Sequence, residues 1–480
     1  MRIPSSYLIQ FAEPAGYLDF ARFGPPAHAV VEESTRLLER STAAGPSTVD
    51  ELMREEVRAK AAVARLSGVD TEHVVLLPNT STGLFQAALG LSGEVMVSRA
   101  EFPANTYPWV RSGRAAVSWL PPAPVTPEAV RSALTPATTA LSVSAVDFRT
   151  GYRADLAGLR DVLGDRLLVV DGIQGFGVVD EPWSVADVLV VGGQKWLRAG
   201  WSTGFMVLSD RALERLDPVA SGWTGAEDAG LFDDSVHPVA EGAAAWSITN
   251  LSPIAAGALA TALELVELAG VPALANRISD HVDTLAEAVR AAGGTIVSAA
   301  DRRAGILAFT LRDVPSTVVG EALTRAGVTA TIRPEHIRVS PHASTTPETI
   351  ARFTEALADL REPATIAPAA PTTPDVVPEW ENGDGGRRPH QAHPSLGATA
   401  APAAGADVFA ALIPTVHSLA DALGPGTEVV LHDLSALPNS IVAIAGDLTG
   451  RGVGGPMTDL LLGLVRRGTT QDLAGYETYA

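Results

Sequence analysis

Leu167-Leu168-Val169-Val170-Asp171-Gly172-Ile173-Gln174 and Val188-Leu189-Val190-Val191-Gly192-Gly193-Gln194-Lys195-Trp196 are two aliphatic runs that each lead into a charged side chain. Both read as short buried strands, the first ending in a carboxylate and the second running into an amine. Working outward, strands are expected at 74–77, 94–97 and 140–143, mostly separated by segments of helical length. Residues 51–66 read as a helix with Val57, Ala61 and Ala64 along one face. This alternation predicts an α/β fold with a largely parallel sheet. Past Leu251, an Ala/Leu-rich helix over 254–268 leads to a second α/β stretch with strands expected at 294–298 and 306–311.

At 480 residues the chain is expected to hold two or three units. Its composition changes after residue 361. Residues 362–406 are rich in Pro, Ala, Thr and Gly, as in Ala364-Thr365-Ile366-Ala367-Pro368, and a packed core cannot be built from them, so they read as a flexible linker. Periodicity returns over 407–480, with helices expected at 408–423 and 457–465 and strands at 428–431 and 441–444. Acidic residues (55) outnumber basic ones (35), giving a formal charge of -20. Binding a phosphate backbone needs clustered Lys and Arg, so no nucleic-acid partner is expected. The absence of cysteine excludes disulfides, thiolate metal sites and a thiol nucleophile. Met1-Arg2-Ile3-Pro4-Ser5-Ser6 holds no apolar core of signal-peptide length, and no later apolar run is long enough to span a membrane. The expectation is a cytoplasmic protein with no membrane association.

The chemistry rests on three segments together. Ligands of open α/β sheets gather outside the carboxyl ends of the strands, which places Asp171 where a site would lie. Lys195 follows the second strand. Thr80-Ser81-Thr82-Gly83 opens a helix after the strand at 74–77, where unpaired amides and the helix dipole favour a phosphate. These are the parts that pyridoxal phosphate needs: a lysine that loses its proton easily to hold the aldehyde as a Schiff base, a carboxylate to keep the ring nitrogen protonated, and a phosphate anchor. His336 and His342 lack partners at metal-ligand spacing, so both read as structural and no metal is expected.

On these residues the chain resembles the class-V aminotransferase family, within the fold-type I pyridoxal-phosphate enzymes, over about residues 17–360. The resemblance implies a large, mostly parallel-sheet domain over about 17–250 and a smaller α/β domain over about 270–361. Asp171-Gly172-Ile173-Gln174 matches the family's Asp-x-x-Gln, which implies Asp171 at the pyridine nitrogen and Gln174 near the phenolic oxygen. Gly193-Gln194-Lys195 matches the Schiff-base segment, with Lys195 as the catalytic residue and Gln194 beside the cofactor. Ser81 and Thr82 fall on the phosphate turn. Glu101-Phe102-Pro103-Ala104-Asn105-Thr106-Tyr107-Pro108-Trp109 resembles the segment that stacks an aromatic ring, here Phe102, on the cofactor; Trp109 reads as core. Ser221-Gly222-Trp223-Thr224 resembles the loop that reaches a neighbouring subunit's phosphate, which implies a homodimer and adds Thr224 to the cofactor contacts. His336-Ile337-Arg338-Val339-Ser340-Pro341-His342 matches the late strand whose arginine grips a substrate carboxylate. Ala245-Trp246-Ser247-Ile248-Thr249 departs from the family's Arg-Phe-Glu in a region that shapes the pocket.

The implied activity is conversion of an amino acid, transamination first. C–S cleavage or epimerisation would use the same residues, without the persulfide step that needs a cysteine. Residues 407–480, with Val429-Val430-Leu431-His432-Asp433-Leu434, Asn439-Ser440-Ile441-Val442-Ala443-Ile444 and Thr449-Gly450-Arg451, resemble part of a YheO-like PAS domain, a small α+β module of transcription regulators. No basic recognition helix follows it. His432 reads as structural before it reads as a ligand contact. This module admits a regulatory alternative, in which the enzyme-like part senses an amino acid and the module relays the signal.

Overall fold

The computed structural model describes residues 3–360 and the backbone of two further strands, Glu428–Leu434 and Ile441–Asp447. In residues 1–365, one of two compact units, a seven-stranded sheet dominates. Its strands are β1 (Val74–Leu76), β2 (Gly93–Ser98), β3 (Ala115–Leu120), β4 (Thr138–Ser144), β5 (Leu167–Asp171), β6 (Val188–Gly192) and β7 (Gly204–Leu208), in the order β1-β7-β6-β5-β4-β2-β3. β6, β5, β4, β2 and β3 pair in parallel, while β7 runs antiparallel to both β6 and β1. The sheet is therefore largely parallel, as expected. β3 and β7 are strands that the sequence reading did not mark.

The unbroken aliphatic character of β5 and β6 follows from burial on both faces. Leu168 and Val170 enter one core cluster, together with Leu189 and Val191; Val169, Val188 and Val190 enter the other. Alternate side chains of a strand point to opposite faces, so a strand with two covered faces has no polar alternation to show. The helix expected at 51–66 spans Thr48–Ser67, but Val57 lies outside its buried face and is 69% exposed. Glu55, Ala59, Ala62 and Val63 turn inward instead, against the apolar helix Pro253–Ala269. A buried glutamate in that stripe hides it from a hydrophobic reading; Arg58 neutralises Glu55 at 3.0 Å. Among the described residues no single helix is long and apolar enough to cross a membrane.

A second sheet holds β8 (Gly294–Ile296), β9 (Leu307–Leu311), β10 (Thr331–Ile332) and β11 (Ile337–Val339), ordered β10-β11-β9-β8 and antiparallel throughout. Tyr17 and Asp19 bridge to Thr329 and Ser340, so the segment before the first long helix runs alongside this sheet. Within residues 366–480, β12 (Glu428–Leu434) and β13 (Ile441–Asp447) form an antiparallel pair in continuous register, each longer than the strand expected there. The linker at 362–406, the helices expected at 408–423 and 457–465, and the side chain of His432 lie outside the described residues.

Candidate active site

Every chemical segment singled out in the large sheet follows the carboxyl end of one of its parallel strands. β1 leads to Thr80, β2 to Glu101 and Phe102, β4 to Ser144 and Phe148, β5 to Asp171, and β6 to Lys195. The topology thus gathers them at one edge, as open parallel sheets do.

Asp171 ends β5 and is buried, its Oδ1 accepting from the Ile173 amide at 3.0 Å. Burial pushes its carboxyl up to about 6, against the opposing effects of that amide and of Lys195. No cation forms an ion pair with it among the described residues. A protonated pyridine nitrogen is a cation of the right sign to pair with this carboxylate. Lys195 lies on the turn after β6, and burial of its ammonium lowers it to about 8; Asp171 opposes that shift and Arg338 reinforces it. Its Nζ stands 5.6 Å from the centroid of Phe102. Phe102 is 43% exposed, so its ring faces the cleft and is no core residue, whereas Trp109 is fully enclosed, as expected. The Lys195 turn is pinned by the Gly24 amide, which donates to the Gln194 carbonyl at 2.9 Å. A Cβ at Gly24 would sit 1.9 Å from the Lys195 carbonyl oxygen, so only glycine allows this approach.

The phosphate turn is built differently from the expectation in one respect. Asn79 caps helix Thr80–Gly90, accepting from the Thr82 amide at 3.0 Å and from the Thr82 hydroxyl at 3.2 Å. Ser81 is exposed, and it is Thr80 whose Oγ1 is buried without a hydrogen-bond partner. A Cβ at Gly192 would meet Gln194 Oε1 at 2.6 Å and Thr80 Oγ1 at 2.9 Å. The glycine therefore keeps open a cradle between Thr80 and Gln194. An orphaned hydroxyl, a capped helix start and this opening fit a phosphate.

Gln174 is buried with its amide already engaged: Nε2 donates to the Ala21 carbonyl at 2.9 Å and Oε1 accepts from Trp196 Nε1 at 2.8 Å. Thr224 lies in the turn Trp223–Gly225 and shares a hydrogen bond with Ser247 at 2.7 Å; no hydrogen bond ties it to Lys195, Asp171 or Thr80. Arg338 sits in β11 with 4% of its side chain exposed. It donates from Nη2 to Asp19 at 3.1 Å and Thr331 at 2.9 Å, and from Nη1 to the Phe148 carbonyl at 2.7 Å. Its Nε has no partner. His342 is buried, stacked on Phe20 and bonded to Ser344, and burial holds it well below the usual imidazole range.

Several residues of the site escape a sequence reading. Asp19 and Glu13 meet Arg338 and Arg198 from more than three hundred and about one hundred and eighty-five positions away respectively, which no local signal encodes. Glu101 stands in the segment quoted for Phe102. Its carboxylate accepts from the Ser144 amide at 2.9 Å and from the Ser144 hydroxyl, and burial pushes it up to about 7, with Asp171 adding to the rise. Ser144 pairs with Asp171 across β4 and β5. Asn79 was legible in principle, being an N-cap residue immediately before the Thr80 helix.

A neutral amine is needed to capture an aldehyde, and Lys195 is charged below about 8. The rate at which apo-protein takes up pyridoxal phosphate is therefore expected to rise about tenfold per pH unit below that point and to level off above it. Asp171 favours the charged amine, so Asp171→Asn is expected to move the midpoint to lower pH. Stopped-flow absorbance across pH 6–10 checks both; a midpoint near the ordinary lysine value of about 10.4 would contradict the burial argument.

The chain is similar to known proteins over most of its length. Residues 17–336 match the family model for aminotransferase class-V, and residues 404–480 match that for the YheO-like PAS domain. A kynureninase of Deinococcus radiodurans is 27% identical over 269 residues, which are 54% of this chain and 65% of that enzyme, so the match spans somewhat less than two thirds of the relative's length. Among solved structures, a cysteine desulfurase from Thermococcus onnurineus superposes with a TM-score of 0.67 at 17% identity, over 75% of this chain and 99% of that one. The cystine C–S lyase C-DES, in complex with cysteine persulfide, gives 0.66 at 18% identity, over 72% and 97%. The Escherichia coli cysteine desulfurase CsdA gives 0.64 at 19%, over 75% and 98%.

Proposed function

The chain belongs to the class-V aminotransferase family, with pyridoxal phosphate as its cofactor, and from that premise we propose that it converts an amino acid by moving the Cα proton with Lys195. The observation that carries this reading is the placement of a half-buried amine, lowered to about 8, on the turn after β6, beside a buried carboxylate that ends the neighbouring strand β5. When bound, the cofactor supplies an electron sink for the charge left on Cα. Lys195 anchors the cofactor through its Nζ; the same amine, once released, is a base near neutral pH because burial disfavours its charged form. Asp171 would hold the ring nitrogen's proton by direct charge pairing, and Phe102 would offer its aromatic face to the ring. Thr80, Ser81, Thr82 and Gln194 hold the phosphate end, while Gln174 braces the Trp196 indole next to Lys195. Arg338 takes the substrate carboxylate by exchanging part of its present contacts with Asp19, Thr331 and the Phe148 carbonyl. Thr224 serves a partner subunit in a homodimer.

Transamination is the first outcome of this machinery. Elimination or another lyase reaction is the second, and the kinship with kynureninase favours it. The absence of cysteine leaves no acceptor thiol for a persulfide. A panel of amino acids, followed for keto acid with and without an added keto-acid acceptor, tests the two. Product that requires the acceptor supports transamination, whereas product with free ammonia and no acceptor supports elimination. Neither product from any amino acid, together with no exchange of the Cα proton in deuterated water, would refute the proposal; exchange without either product supports epimerisation. Repeating the panel without residues 407–480 tests the regulatory alternative, which requires that the rates change.

A further inference from the structure

Three arginines crowd one corner of the cleft, and only one has a carboxylate within ion-pair reach. Arg338 has Asp19 at 3.1 Å. Arg149 and Arg333 form no ion pair among the described residues, although their guanidinium carbons lie 5.1 Å and 5.3 Å from the centroid of the same ring, Phe148. That ring meets Phe102 edge-on at 5.2 Å, and Phe102 lies under the Lys195 amine. Arg149 and Phe148 come from the loop after β4; Arg333 and His336 close the turn between β10 and β11, where the Arg333 amide donates to the His336 carbonyl at 3.0 Å. The corner is thus the meeting line of the two sheets' loops, one ring beyond the proposed cofactor stack.

The acids whose charge acts on Arg333 are Glu335, Asp19 and Asp147. Asp19 is committed to Arg338 and Thr331. Asp147 Oδ1 accepts from the amides of Arg149 and Thr150 and from the Thr150 hydroxyl. Glu335 is not within ion-pair reach. Two unmet donors lie here: Arg333 Nε and Arg338 Nε are both enclosed without a hydrogen-bond partner. Gathering like charges and burying unpaired donors both cost free energy, and an incoming anion relieves both at once. A guanidinium fork suits a carboxylate or a phosphate, since either offers two oxygens in its plane.

We propose that Arg149 and Arg333 form a second anion-binding site beside the Lys195 cleft, and that the substrate is an amino acid whose side chain carries a negative charge. The inference rests on the reading of Lys195 as the amine that handles an amino acid, and it assigns Arg149 and Arg333 to the far end of the substrate while Arg338 keeps the α-carboxylate.

Titration of the holoenzyme's cofactor absorbance separates the possibilities. The probes are matched pairs: L-aspartate and L-asparagine, L-glutamate and L-glutamine, O-phospho-L-serine and L-serine. In at least one pair the charged member is expected to bind about ten- to a hundredfold more tightly than its neutral counterpart, and the pair that responds identifies carboxylate or phosphate. Arg149→Gln and Arg333→Gln are each expected to remove most of that preference and to leave the neutral member's affinity unchanged. Equal binding within every pair overturns the proposal. So does an equal loss for charged and neutral members in both variants, because that pattern assigns the arginines to the α-carboxylate. A protein without the cofactor band, or without a borohydride-fixed label at Lys195, removes the premise itself, an outcome distinct from a labelled holoenzyme that shows no charge preference.

Discussion

Replacing Lys195 by alanine is expected to abolish the borohydride-fixed cofactor label and to cut turnover by on the order of 10³-fold or more. Two functions are lost together. In the proposed reading the amine is both the covalent anchor and the base, and it stands near Asp171 at the carboxyl edge of the sheet. No other lysine can replace it there: Lys60, the chain's one other lysine, is tied to Glu56 at 2.7 Å on the helix Thr48–Ser67. Water or added amine in the space vacated by the side chain restores proton transfer only weakly, because neither is positioned by the turn that Gly24 pins. Peptide mapping after reduction reads the label, and single-turnover kinetics reads the rate. A label retained in the alanine variant, or turnover within tenfold of the parent, would be incompatible with the assignment.

The second large effect concerns Asp19. Its carboxylate and the Arg338 guanidinium are 3% and 4% exposed, so each is the other's principal compensation for leaving water. Burial pushes the Asp19 carboxyl up and Arg338 opposes that rise, so the pairing only partly offsets the desolvation. Removing one partner strands the other. Asp19→Ala is expected to destabilise the apo-protein by about 3–5 kcal/mol, seen as a lower midpoint in urea unfolding. The double replacement Asp19→Leu with Arg338→Met removes both charges and is expected to regain most of that loss. Activity separates scaffold from substrate binding. If Arg338 grips the α-carboxylate, the stable double variant still shows a KM raised by about tenfold or more. A double variant that is stable and fully active would confine the pair to holding residues 17–19 against β11.

The site was legible where its residues are local to a strand end. The runs before Asp171 and Lys195 announce themselves because a strand covered on both faces is aliphatic throughout, and the residue that follows it lies at the ligand edge. The same reasoning marked Ser81 and Thr82 for the phosphate, whereas the buried, unpartnered hydroxyl of that turn is Thr80's. A run of three hydroxyl residues contains nothing that states which of them turns inward, and the angular position on the helix is decided by what packs on it. Val57 misled for a related reason: the inward stripe of its helix includes Glu55, made tolerable by Arg58. β7 escaped because its antiparallel return breaks the regular strand–helix alternation on which the reading relied.

The order of apolar runs and the residues just beyond them are written in the chain itself, since side-chain hydrophobicity and backbone periodicity act over a few neighbours. From these came the α/β class, the lysine and its partner carboxylate, the cofactor they suit, and the exclusion of thiol chemistry. Contacts such as Arg338 with Asp19 or Arg198 with Glu13 depend on chain closure over hundreds of residues. So does the convergence of Arg149 and Arg333 on one ring. Only folding decides which charges are neutralised and which remain available, because desolvation acts on a side chain according to what surrounds it, and that is set by the packing of distant segments.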